Sequence, residues 1–72
     1  DAAEATFSRY KGRPIGSLAT AATFSFFGNK IISCGEGGAV TCDDSDLAKR
    51  LRLLRGQGMD PNRRYHFPVV GF

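Results

Sequence analysis

Apolar and polar positions alternate in short blocks over the first two-thirds of this chain and then switch to a helical spacing. Residues 21 to 27, Ala-Ala-Thr-Phe-Ser-Phe-Phe, combine aromatic and β-branched side chains and predict a strand on which Thr23, Ser25 and Phe27 share one face. Thr6 to Tyr10, Ile31 to Ser33 and Ala39 to Cys42 read as shorter strands, and Asp1 to Glu4 as the end of another. Two glycines and a proline in Lys11-Gly12-Arg13-Pro14-Ile15-Gly16 predict a turn, as do Gly35-Glu36-Gly37-Gly38 before the strand at Ala39 and Asp60-Pro61-Asn62 further on. From Asp46 to Arg55 the period lengthens: Leu47, Leu51 and Leu54 fall on one helical face and the cations on the other. Asp43, Asp44 and Asp46 precede or open this helix and basic residues close it, which matches the macrodipole, with Ser45 or an adjacent Asp as cap. Gly56 is the expected left-handed stop, and residues 57 to 72 read as an irregular basic segment.

Composition narrows the classes. The net charge of +3 comes largely from Lys49, Arg50, Arg52, Arg55, Arg63 and Arg64. A small basic module that binds nucleic acid through residues 49 to 64 would use that cluster, whereas a helix docked by its leucines would simply turn it to solvent, and the leucine spacing favours the docked helix. No apolar run is long enough to span a membrane, so the expected setting is cytoplasmic, without a membrane or nucleic-acid partner. Cys34 and Cys42 are expected to be free, partly buried thiols rather than a disulfide. His66 is the one histidine and has no neighbour at metal-ligand spacing, so no metal is expected. The glycine-rich 35–38 stretch lacks the Lys and Ser/Thr of a phosphate loop. A 72-residue domain buries only about 60% of its unfolded surface. With nine glycines, no initiator Met and an apolar run at Pro68-Val69-Val70-Gly71-Phe72, the expectation is a piece of a larger protein spanning residues 1–72, truncated at both ends.

Lys30 carries the most distinctive chemistry. It follows an aromatic strand through Gly28-Asn29, where a lysine is either an exposed turn residue or an amine among apolar neighbours, able to form a Schiff base with an aldehyde. Four segments around it bear on the choice: Asp1-Ala2-Ala3-Glu4-Ala5, Gly12 to Ser17, Thr23 to Lys30 and Gly35 to Gly38. In order and spacing they resemble the DegT/DnrJ/EryC1/StrS family of pyridoxal-phosphate-dependent sugar aminotransferases.

The resemblance implies an α/β fold, a fragment of the large cofactor-binding domain of a fold-type-I transferase, acting as a homodimer in the parent protein. It implies pyridoxal 5′-phosphate held covalently by Lys30, the catalytic residue, with Asp1 at the ring nitrogen, Glu4 near the ring and its 3′ oxygen, and Ser25 at the phosphate. It further implies a nucleotide-sugar substrate and an amino-acid donor, glutamate. Lysine rather than histidine at position 30 separates the aminotransferases from related keto-sugar dehydratases. The strings Phe26 to Lys30 and Arg55-Gly56-Gln57-Gly58-Met59-Asp60-Pro61 look like the branch that contains perosamine synthases. Ala19-Thr20 departs from the Gly-Asp that members commonly place before the strand. A non-catalytic relative that keeps the fold and cofactor is a further reading.

Overall fold

In a computed structural model that describes residues 1–71, the helical and strand periods become five elements: β1 (Arg9–Tyr10), β2 (Arg13–Pro14), β3 (Ala21–Ser25), β4 (Gly38–Cys42) and α1 (Ser45–Arg55). Phe72, the last residue of the irregular segment expected from 57 onward, lies outside the described residues.

The turn predicted from residue 11 onward is the tip of a two-residue hairpin. Lys11 and Gly12 both take positive φ, 50° and 78°, while Tyr10 pairs with Arg13 and Arg9 with Pro14. Positive φ at both central positions gives the turn the twist of the strands it joins, and glycine supplies the second at no steric cost. β1 is shorter than the strand expected from Thr6. Phe7 swings to φ 71° and the Ser8 N–H bonds back to the Ala5 carbonyl at 3.0 Å, so a turn replaces its first half.

β3 and β4 form the main sheet, antiparallel, in a register running from Ala21↔Cys42 to Ser25↔Gly38. One further bond, from Phe26 N–H to the Gly37 carbonyl at 2.8 Å, extends the ladder before the chain leaves it, so the strand expected over 21–27 ends at Ser25 and Phe27 is not on its face. Opposed residues share a face, which groups Thr23 and Ser25 with Val40 and Gly38, and Phe24 with Ala39. On the Phe24 side Gly16 approaches the ring so closely that a Cβ would meet Phe24 Cζ at 2.8 Å, and the Thr41 hydroxyl donates to the Gly16 carbonyl at 3.0 Å. These contacts fix the hairpin against the sheet.

No strand forms at Ile31–Ser33. The twelve positions between β3 and β4 fold as successive turns: Lys30 N–H bonds to the Phe27 carbonyl at 3.0 Å, Cys34 N–H reaches back to the Phe26 carbonyl at 3.0 Å, and the Ser33 hydroxyl accepts the Gly35 N–H at 3.1 Å. A serine that satisfies the backbone two residues on offers a local alternative to a ladder, and here the alternative wins. Cys34 is therefore exposed, against expectation, while Cys42 is half-buried on β4; both are free. The expected strand end at Asp1–Glu4 is likewise a turn, closed by Ala5 N–H to the Ala2 carbonyl, and only Ala2 N–H to the Thr23 carbonyl at 2.9 Å is strand-like.

α1 starts one residue before the expected Asp46 and is capped by Asp44, whose Oδ1 accepts from Asp46 N–H at 2.8 Å and Leu47 N–H at 3.1 Å. It lies against β4, with Val40 and Cys42 facing Leu51 and Leu54 across a shallow groove, and Arg52 and Arg55 close its last turn. Its end departs from expectation. Gly56 keeps φ −84°, and the left-handed residues are Gln57 (63°) and Gly58 (79°). Gly58 N–H bonds to the Leu53 carbonyl at 2.8 Å and Gln57 N–H to the Leu54 carbonyl at 3.2 Å, the paired bonds of a Schellman motif with Gln57 at its left-handed position.

Among the described residues Ala2, 4% exposed, is the only fully buried apolar one, and ten large hydrophobics lie at the surface. The radius of gyration is 14.5 Å, against about 11 Å for a compact domain of this length. Little core is enclosed within the chain itself. No helix among the described residues is long and apolar enough to cross a membrane, and no cluster of potential metal ligands occurs among them.

Candidate functional site

The site is assembled from two turns, one tied to β3 and one formed just beyond it. The first is the N-terminal turn. Asp1 Oδ1 accepts from Ala3 N–H at 2.9 Å, which fixes the carboxylate over its own backbone, and from the Thr23 hydroxyl at 3.4 Å. Thr23 and Ser25 are two residues apart on a strand and so point to the same side, which places Asp1 on the face of β3 that carries Ser25. Ser25 Oγ accepts the Phe27 N–H at 3.4 Å, turning the chain as it leaves the strand, and makes no hydrogen bond to Asp1 or Lys30.

The second turn meets the first in one contact. Phe27-Gly28-Asn29-Lys30 is a hydrogen-bonded β-turn in which both central residues keep negative φ, so the Gly-Asn pair does ordinary turn work. Lys30, however, is not a solvated turn lysine: its side chain is 16% exposed. Nor is its amine left among apolar groups alone, the setting expected for a lysine stripped of hydration, because Nζ donates to Glu4 Oε1 at 2.8 Å. Glu4 itself is 81% exposed. Its carboxyl is held below the ordinary glutamate value of 4.5, first by the hydrogen bond from Lys30 and second by the charge of that ammonium.

Glu4 and Lys30 are thus brought into direct contact, and Asp1 and Ser25 share a strand face. Two features went unseen in the sequence reading. Thr23 was placed on the Ser25 face but given no partner; that face assignment, set beside the strand end at Asp1, was the signal. The Glu4–Lys30 pair links positions 26 apart, and nothing local announces it.

Chemically, the group provides a recessed primary amine, a carboxylate anchored by two donors, a second carboxylate and two hydroxyls on one strand face. An amine suits an aldehyde, a carboxylate suits a protonated ring nitrogen, and a hydroxyl suits a phosphate oxygen, so the donor set fits pyridoxal phosphate. An α/β unit with these donors is of the class that holds such a cofactor on a lysine.

Comparison with known proteins sharpens the class. The profile of the DegT/DnrJ/EryC1/StrS aminotransferase family matches residues 1–72, and the chain belongs to that family. It is 68% identical over 72 residues to the GDP-perosamine synthase of Caulobacter vibrioides, covering 100% of this chain and 19% of that protein. It is 46% identical over 72 residues to the GDP-perosamine synthase of Escherichia coli O157:H7, covering 100% of this chain and 20% of that protein. Among solved structures, the PLP form of Spr1654 from Streptococcus pneumoniae superposes with a TM-score of 0.86 at 32% identity, over 100% of this chain and 20% of that one. The chain spans about a fifth of the length of the relatives it matches, and it carries an α/β portion of their fold. The likeness to perosamine synthases agrees with the branch expected from Phe26–Lys30 and Arg55–Pro61.

Proposed function

We propose that the protein to which this chain belongs is a pyridoxal-phosphate-dependent aminotransferase that moves an amino group from glutamate to a nucleotide-linked 4-keto-6-deoxy sugar, working as a homodimer in the cytoplasm. The observation that carries the reading is Lys30, recessed to 16% exposure in a loop where lysines are ordinarily solvated, within a chain that matches the family from end to end. The 68% identity to a GDP-perosamine synthase supports a GDP-linked sugar as substrate.

In this reading Lys30 anchors the cofactor and Asp1, Ser25 and Glu4 surround it. When bound, pyridoxal phosphate supplies an electron sink for the carbon that loses or gains a proton. The chain's own groups do the rest. Asp1 holds a proton on the ring nitrogen through its negative charge, and its two donors, Ala3 N–H and the Thr23 hydroxyl, keep that carboxylate in place. Ser25, whose oxygen accepts from Phe27 N–H, has its hydroxyl hydrogen to donate to the phosphate in a charge-assisted bond. Lys30 Nζ, when free, takes up and returns the substrate proton as a positioned base.

Borohydride reduction of the full-length holoenzyme followed by peptide mapping tests the assignment. A pyridoxyl label is expected on Lys30, and a label on Lys11 or Lys49 in its place rules the reading out.

A further inference from the structure

We propose that Glu4 is a positioning residue that latches Lys30: it pairs with the ε-amine whenever the lysine carries no cofactor, and cofactor capture must first part the pair. The geometry points to a contact built to open. Both backbones are tied to β3, Lys30 by its N–H to the Phe27 carbonyl just beyond the strand, and the Glu4 turn by Ala2 N–H to the Thr23 carbonyl. The side chains then span the gap at 2.8 Å, the only ion pair among the described residues. Its two side chains differ sharply, with Lys30 16% and Glu4 81% exposed. A fully buried pair is costly to break because one charge is left unsolvated, whereas here the departing carboxylate passes directly into water while the lysine stays recessed. Release therefore needs only rotation of Glu4, while the Lys30 backbone stays fastened to Phe27.

While Nζ donates to Glu4 it is engaged by that carboxylate. Capture requires that its proton pass to solvent, that Nζ bond to the aldehyde carbon as C=N, and that the aldehyde oxygen leave as water. Glu4, paired with Nζ, must be displaced before that bond can form. It thereby holds the free lysine in one orientation and slows its reaction with stray aldehydes.

The inference rests on Lys30 being the cofactor lysine. The test uses full-length apoenzyme, stripped of cofactor, and follows the absorbance of the lysine-bound species in stopped flow at neutral pH and low ionic strength. Glu4→Gln, which keeps shape and removes charge, should capture pyridoxal phosphate roughly one and a half to five times faster than wild type, the range an exposed ion pair supports. A rate equal to or below wild type overturns the latch. Should Glu4→Gln not fold, pyridoxal, which carries no phosphate charge for the protein's field to steer, serves with wild type. Capture should quicken as salt screens the pair, and a flat or falling rate overturns the proposal. Absence of the lysine-bound absorbance from wild type, or its mapping to Lys11 or Lys49, refutes instead the assignment of Lys30.

Discussion

Replacing Asp1 by Asn separates the two tasks that this carboxylate performs. Its Oδ1 accepts from Ala3 N–H and from the Thr23 hydroxyl, and an Asn side chain offers an Oδ1 in the same place. Both bonds survive, so the N-terminal turn persists and the stability change should stay within about 0.5 kcal/mol, as for other exposed substitutions that keep their partners. What is lost is the negative charge. A cofactor ring nitrogen without an anion beside it gives up its proton more readily, and the electron sink weakens at the moment the substrate carbon carries negative charge. A loss of about 3 kcal/mol in transition-state stabilisation corresponds to roughly a hundredfold in rate. The assay is steady-state kcat of the full-length enzyme at saturating pyridoxal phosphate, beside an equilibrium titration of the cofactor. The expected result is a fall in kcat of about a hundredfold with a change in cofactor affinity of less than about tenfold. Asp1→Ala serves as the contrast, since it removes the acceptor for Ala3 and Thr23 and should weaken cofactor binding as well. Unchanged turnover of Asp1→Asn at saturating cofactor would refute the role of the charge, whatever happened to affinity.

Three further outcomes follow from the geometry. Asp44→Ala removes the acceptor for two N–H groups at the start of α1 and should cost about 1 kcal/mol in the urea unfolding of the full-length protein, with Asp44→Ser restoring most of it. Gly58→Ala should cost about 2 kcal/mol or more by the same assay, because Gly58 sits at φ 79° and an added Cβ would run into the Val69 carbonyl oxygen. Glu4 has its carboxyl lowered by Lys30, so the pair's contribution is complete above the ordinary value of 4.5 and disappears only as pH falls through the depressed titration. Carboxyl NMR of the full-length apoenzyme should find Glu4 titrating below 4.5, and a Lys30→Met variant should return it to the usual range; an identical midpoint in the two proteins would contradict the pairing.

The elements read correctly from sequence are those whose period and local chemistry agree. In α1 the spacing of Leu47, Leu51 and Leu54 coincides with an acidic start and a basic end, and the observed helix differs from the expected one by a single residue at its start. β3 and β4 likewise fall inside or beside their expected spans, because each is the other's partner and Thr23↔Val40 and Phe24↔Ala39 match faces across the ladder. Ile31–Ser33 has the composition of a strand without such a partner, and Ser33 spends its hydroxyl on Gly35. Thr6–Ser8 and Asp1–Glu4 were misread for a related reason, since Phe7 at φ 71° and the Asp1 carboxylate on Ala3 close turns that apolar alternation cannot reveal. At the helix end glycine preference pointed to Gly56, but the Schellman bonds to Leu53 and Leu54 put the left-handed residue one step later, at Gln57.

The same distinction governs the candidate site. Lys30, Asp1, Glu4 and Ser25 were singled out by order and offset along the chain, which specify chemistry but not contact. Contact is decided by how turns are fastened, and here each is fastened to β3 or its immediate extension: Ala2 to Thr23, Asp1 to Thr23, Lys30 to Phe27, Cys34 to Phe26. Five strand residues and the short run after them therefore hold an amine, two carboxylates and two hydroxyls together while, among the described residues, only Ala2 and Gly58 are buried. Apolar burial cannot be what sets these positions within the chain. Directional bonds from backbone to backbone and from short side chains to backbone set them instead, and such bonds tolerate wide sequence change as long as the acceptor remains. It also means that substitutions at Asp1 or Thr23 should disturb the site before they disturb the sheet.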